Sequence, residues 1–261
     1  MIPREPPETQ VLVEPHVFRK LDNLQACLNA LLRGREVEVP QFPGRDVQML
    51  PLRLLPAKKG LSTPEGQARL LHDLASIELQ AMELGVRTLA EFPEAPTAFR
   101  EQLCEVTLEE GKHLRLCLEG LADLGFPWGS FPAHQALWEA ADPGDSLLDR
   151  IVIVHRYLEG SGLDASNTLM RRLSGVQAPQ AWRAVEVIAR DEVKHVLFGS
   201  RWYHELVRRE GLDPAADFAE RLHRLFTRIP RRREPIQVDF RREAGFTDPE
   251  IHVLQELRNR P

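Results

Sequence analysis

The sequence predicts an all-α protein built around a four-helix bundle, and three observations predict it. Long stretches carry apolar or small residues at alternating steps of three and four, the stripe by which a helix packs in a bundle; one such stripe is Ala181, Val185, Ile188, Glu192, His195, Gly199, Trp202, Leu206. In the middle of each stripe a carboxylate, or a carboxylate and an imidazole, stands where a buried Leu is expected. The arrangement also occurs twice. A helix with one Glu on its stripe is followed by a helix with Glu-x-x-His, and the spacing is 32 residues from Glu78 to Glu110 and 33 from Glu159 to Glu192.

Taken in order, residues 1–15 are rich in Pro and Glu and read as extended. Phe18 to Leu32 reads as a short amphipathic helix closed by Gly34. Residues 35–63 are proline-rich and have no core of their own, so 1–63 is expected to be an arm packed on the main body. Ser62-Thr63-Pro64-Glu65 is a helix start, with Thr63 as cap and Pro64 in the first turn. The first bundle helix then runs to Glu91, with Leu70 or Leu71, then Leu74, Glu78, Ala81, Gly85 and Thr88 on its stripe. The second runs from Thr97 to Leu124 on Phe99, Leu103, Val106, Glu110, His113, Cys117 and Leu121. Residues 125–144 are long enough to cross the end of a bundle and include one short helical piece, His134 to Ala141. The third helix spans Ser146 to Leu173, with Leu148, Val152, His155, Glu159, Gly162, Ser166, Leu169 and Leu173 on its stripe. The fourth covers Pro179 to Arg209 and stops at Gly211. Residues 64–210 are thus the bundle, and 211–261 a helical extension with helices near Ala215–Phe226 and Asp248–Leu257.

An uncompensated buried charge costs several kcal/mol, so the polar groups on the stripes need an explanation. Four Glu and two His from four helices are the ligand set of di-iron and di-manganese carboxylate bundles. Four carboxylates carry −4 and two divalent cations +4, which leaves a neutral site. Carboxylate with imidazole suits iron or manganese, and the thiolates of a structural zinc site are missing. Glu78, Glu110 and His113 are assigned to one ion, and Glu159, Glu192 and His195 to the other, with Glu110 and Glu192 as bridging groups. A third Glu-x-x-His pair, Glu220 and His223, lies among charged residues and reads as solvated. Asp191 and Glu109 each precede a ligand Glu and are candidates to accept a hydrogen bond from the far nitrogen of a ligand His. His155, one turn before Glu159, reads as a satisfied core histidine, with a ligand or relay role as the alternative. Gly160 and Gly162 signal either close helix packing or a π-bulge, a feature common at functional sites. Cys117 reads as a packed thiol, and His72 has no assigned role. Tyr157 and Tyr203 are off the stripes, which argues against a tyrosyl radical.

Five blocks, Ile77-Glu-Leu-Gln-Ala-Met-Glu-Leu84, Glu109-Glu-Gly-Lys-His113, His134-Gln-Ala-Leu-Trp138, Glu159-Gly-Ser-Gly-Leu-Asp-Ala165 and Asp191-Glu-Val-Lys-His-Val196, occur in the order found in the ferritin-like domain-of-unknown-function 455 family. Over roughly residues 50–250 the chain resembles that family, and more distantly the tRNA-modifying di-iron hydroxylases and the bacterial multicomponent monooxygenases. The resemblance implies a ferritin-like fold with a long crossover between the second and third helices, and the six ligands named above. It implies no reaction. The family usually carries a larger residue than Gly160 after the glutamate, so the third helix is expected to be locally looser.

The expected function is an O₂-dependent oxidation of a small organic substrate at two iron ions, or at a mixed manganese/iron pair. Electrons must come from an external donor, because the chain has no flavin or nicotinamide fingerprint and too few cysteines for an iron–sulfur cluster. Alternatives are an iron-handling ferroxidase, a metal-stabilised scaffold and a tRNA-modifying hydroxylase. A net charge of −5 and a pI near 6.0 give no global signal for nucleic acid or an anionic membrane. The run Arg231-Arg232-Arg233 is the one basic feature that could meet phosphate. No apolar run is long enough to span a bilayer, and Met1-Ile-Pro-Arg-Glu-Pro-Pro7 has no apolar h-region, so no signal peptide is expected. Three cysteines, Cys27, Cys104 and Cys117, are no disulfide framework. A cytoplasmic monomer or small homo-oligomer is the expectation.

Overall fold

Helix starts and stops fall where local chemistry puts them. The computed structural model describes residues 9–232 and 234–259. Among them the chain is helical, with no strand and one isolated parallel bridge, Met49 to Ala133. The helices are α1 Val17–Leu32, α2 Pro64–Glu91, α3 Thr97–Asp123, α4 Ala136–Ala140, α5 Leu147–Ile151, α6 Gly160–Leu173, α7 Pro179–Arg209, α8 Pro214–Leu225, α9 Val238–Glu243 and α10 Asp248–Arg258. A 3₁₀ turn covers Leu52–Leu54. A π-helical segment, Val152–Glu159, joins α5 to α6. No described helix is long and apolar enough to cross a membrane.

The chain forms two compact units, one up to Trp138 and the other from Glu139. In the first, α2 and α3 pack along each other as a helical hairpin. Thr63 starts α2 by accepting the Gly66 N–H at 3.1 Å, with Pro64 in the first turn. The buried face of α2 runs through Leu71, Ala75, Glu78, Met82, Gly85 and Leu89. Leu74 and Ala81, expected on the stripe, are only half-buried; α1 contacts α2 and α3 as well, so more than one face of α2 is covered. The arm packs on this hairpin. Lys20 of α1 is fully buried, 2.8 Å from Glu83 Oε1, and Arg45 grips the same carboxylate. Residues 9–13 form a helical turn closed by Val13 N–H to Gln10 O at 3.0 Å, in place of the expected extended chain. Gln80, fully buried, accepts from the N–H groups of Leu137 and Trp138 and donates to His134 O, so it seats α4 on α2.

In the second unit α5, the π segment and α6 run on without a break and pack against α7. Ser146 and Asp149 form a capping box at the start, which satisfies backbone N–H groups that have no helical partner. The C-terminal helices are tied to this pair by buried charges. Arg156 lies 2.8 Å from Glu250 and under the rings of Tyr203, Phe218 and Phe246. Arg241 of α9 pairs with Asp164 at 2.6 Å, donates to Arg156 O at 2.8 Å, and is joined on Asp164 by Arg258 at 2.7 Å. The π segment shifts the register that follows it. Gly162, expected on the inner stripe, is exposed, while Leu163 and Asp164 are buried. An i→i+5 turn takes up extra residues, so the inward face moves on by about one position.

Candidate metal centre

In the first unit the hairpin brings three predicted ligands together. Glu78 of α2 and Glu110 and His113 of α3 are 3 %, 1 % and 2 % exposed. His113 Nδ1 lies 3.5 Å from Glu78 Oε2 and 3.6 Å from Glu110 Oε2. Glu110 and His113 are one turn apart, so they share a face of α3. Burial pushes the Glu78 carboxyl above the usual carboxylate range, and Glu110 adds to this while His113 opposes it. Burial would lower His113, but hydrogen bonding and charge from Glu110 and Glu78 outweigh it and raise the imidazole. Cys117, one turn further on, is buried, and its thiol is raised by burial and by the nearby Glu78.

The second unit places Glu192 and His195 one turn apart on α7, 7 % and 0 % exposed. Glu159, at the end of the π segment, is also buried, and its Oε1 lies 2.8 Å from Nδ1 of His155. Gly199 lets α7 pack close on His155, because a Cβ there would run into Cβ of His155. Phe198 meets the His155 ring edge-on, with centroids 5.1 Å apart at 90°. Asp191 pairs with Arg190 at 3.0 Å and with Lys194 at 3.7 Å. Glu109 is half-buried on α3.

Two buried donor atoms fit a cation. Glu159 Oε2 and His155 Nε2 are buried and make no hydrogen bond among the described residues. A buried polar atom left unanswered costs about 1–3 kcal/mol, and a bound metal ion would answer it. The donors are carboxylate oxygen and imidazole nitrogen, the chemistry of iron and manganese sites. Buried Glu and His side chains of this kind could hold a metal ion.

The other sequence candidates sort plainly. Glu220 and His223 are exposed on α8. Tyr157 and Tyr203 are buried and donate their hydroxyls to Pro230 O and Pro214 O. His72 stacks on Trp128 and accepts the Gly129 N–H at 3.3 Å. In the basic run Arg228 pairs with Asp145 and Arg231 lies over Phe226; Arg233 is outside the described residues. Sequence reasoning missed Arg156, Asp164, Arg241 and Glu250. Asp164 lies within the Glu159–Ala165 block, which was the only local signal for them.

A family model described as "Protein of unknown function (DUF455)" matches residues 6–252. The chain belongs to the DUF455 family. An uncharacterized protein of Haemophilus influenzae is 34 % identical over 227 residues, covering 84 % of this chain and 77 % of that protein. No solved structure matches the chain. The matched span contains α3, α7, the π segment, α9 and the start of α10, so the pairs of Arg241 with Asp164 and of Arg156 with Glu250 fall inside it, and Arg258 lies beyond it.

Proposed function

We propose that this DUF455 protein is a ferritin-like non-heme di-iron protein that carries out an O₂-dependent oxidation of a small organic substrate. In this reading α2, α3, the α5–α6 helix and α7 are the four helices of a ferritin-like bundle. Glu78, Glu110 and His113 hold one iron, and Glu159, Glu192 and His195 hold the other; manganese could replace one of them. The observation that carries the reading is the repeat. Each unit offers a buried lone Glu on one helix and a buried Glu-x-x-His on the next, although burial selects strongly against unpaired carboxylates.

Iron bound there would supply the activation of O₂. The chain's own residues do the rest. Four carboxylates balance the charge of two divalent ions. The apolar faces of the helices keep water from the ligands, which strengthens every charge interaction among them. In this reading Asp191 and Glu109 would orient ligand imidazoles through their far nitrogens, as carboxylates beside metal sites do. Electrons come from an external donor.

The test is to load the metal-free protein anaerobically with ferrous iron and follow O₂ uptake and the near-ultraviolet to visible spectrum after mixing with O₂. O₂ consumption with a new absorption band, lost in Glu110→Ala and His195→Ala, is the expected result. Iron bound without O₂ uptake would make the site a structural one. Uptake that ends in mineralised ferric iron in a large shell would make it an iron-handling protein.

A further inference from the structure

His155 is a buried imidazole that the six-ligand set does not use. Its ring is 2 % exposed. It is held from three sides: Nδ1 is 2.8 Å from Glu159 Oε1, Phe198 meets the ring edge-on, and Gly199 closes under its Cβ. Nε2 is buried and has no hydrogen-bond partner among the described residues. In the tautomer in which Nδ1 donates to Oε1, Nε2 keeps a bare lone pair. An imidazole fixed through one nitrogen by a carboxylate, with the other nitrogen open, is how a ligating histidine is presented to a metal. Glu159 repeats the pattern, since Oε1 is taken and Oε2 has no hydrogen bond. A histidine serving only the core would be expected to have both nitrogens answered, because an orphaned one costs about 1–3 kcal/mol.

The first unit has no equivalent. The residue four before Glu78 is Leu74, and the nearest histidine on that helix, His72, stacks on Trp128 and bonds Gly129. The two halves of the repeat therefore differ by one imidazole.

The geometry points to His155 Nε2 as a further metal ligand in the second unit, making the two metal positions unequal: one imidazole, His113, in the first unit and two, His155 and His195, in the second. This rests on the metal-centre reading above. Nitrogen-rich ligation favours ions later in the first transition row more strongly than carboxylate ligation does. The second-unit position accordingly takes iron or cobalt ahead of manganese, and the first-unit position is the one that tolerates manganese.

The experiment uses the full metal-free chain and cobalt(II) alone as probe, followed by titration calorimetry and by the visible absorption of the bound ion. Wild type binds two ions in two affinity classes. His155→Ala and His155→Asn both weaken one class by tenfold or more and change its visible spectrum, and leave the other class as it was. Asn is the deciding variant. Its amide nitrogen can take the place of Nδ1 and keep the hydrogen bond to Glu159, but it has nothing at the place of Nε2. Wild-type binding by His155→Asn would overturn the inference and reduce His155 to an orienting donor for Glu159. Two equal sites in wild type would also overturn it while leaving the metal-centre reading intact. No binding by wild type at all would sink both. Far-ultraviolet circular dichroism of each variant shows whether it is folded before titration.

Discussion

Gly160 and Gly162 lie two residues apart on one helix, and the same substitution should move stability in opposite directions at the two. A methyl built on Gly160 would stand 2.7 Å from Cζ of Arg241 and nearer still to Nη1. That guanidinium cannot give way cheaply. It is fully buried, paired with Asp164 at 2.6 Å and bonded to Arg156 O at 2.8 Å. Overpacking a filled site costs about 1–3 kcal/mol, and disturbing a buried ion pair adds to it. Against this, Ala in a helix gains about 1 kcal/mol over Gly. Asp164 keeps Arg258 at 2.7 Å and the Gln237 N–H at 2.9 Å, which holds the loss toward the lower end. Gly160→Ala is therefore expected to destabilise by about 2 kcal/mol, combining the overpacking and propensity terms. Gly162 is exposed, and nothing lies within 4 Å of a Cβ there. Gly162→Ala should stabilise by about 0.5–1 kcal/mol. Urea unfolding followed by far-ultraviolet circular dichroism would place the two midpoints on opposite sides of wild type. If both variants were more stable than wild type, Arg241 would not be wedged against Gly160, and the pinning of the π segment by α9 would be wrong.

Two further expectations concern groups away from the ligands. Burial would raise Glu250, but the hydrogen bond from His204, the charge and hydrogen bond of Arg156 and the Thr247 N–H outweigh it and hold the carboxyl at about 2, against an ordinary 4.5. The ionised form thus contributes stability that is complete above about pH 4.5 and lost as pH falls toward 2; a shift of this size corresponds to about 3 kcal/mol. The stability gap between wild type and Glu250→Gln should be constant above pH 5 and narrow below 4.5, and a gap that stayed constant down to pH 2.5 would contradict the ion pairing. Cys27, Cys104 and Cys117 are all buried; burial pushes Cys104 up to about 11 and also raises Cys117. Ellman's reagent should leave the native protein unreacted over minutes and titrate all three thiols in urea, whereas a fast native equivalent would mean that one of these thiols is open to solvent.

What could be read from the chain divides by distance along it. Thr63-Pro64 marked the start of α2, and the steps of three and four placed α3 and α7 with the buried Glu and His on their inner faces. These signals are local, a cap or a period. The third long helix was found from Ser146 to Leu173, but its π segment was visible only as a question raised by two glycines. The ladder there is held by Arg241, which is 85 positions from the Arg156 carbonyl it bonds, and no window along the sequence contains both. For that reason Gly162 was expected inside and lies outside. The short α9, Val238–Glu243, was missed altogether. Its one buried residue is Arg241, and a lone arginine gives no hydrophobic stripe to read. The Glu250 pairings join residues up to 94 positions apart and were invisible for the same reason. His155 could be placed beside Glu159 by the spacing of one turn, but its unanswered nitrogen could be known only from the surroundings.

Whether two ions are shared by these six side chains is tested most directly by diffraction. Crystals of the protein loaded with ferrous iron, measured on either side of the iron absorption edge, should give two anomalous peaks. One should lie against Glu78, Glu110 and His113, and the other against Glu159, Glu192 and His195. A map with no iron at either set of residues, from crystals of protein exposed to excess ferrous iron, would contradict the di-iron reading.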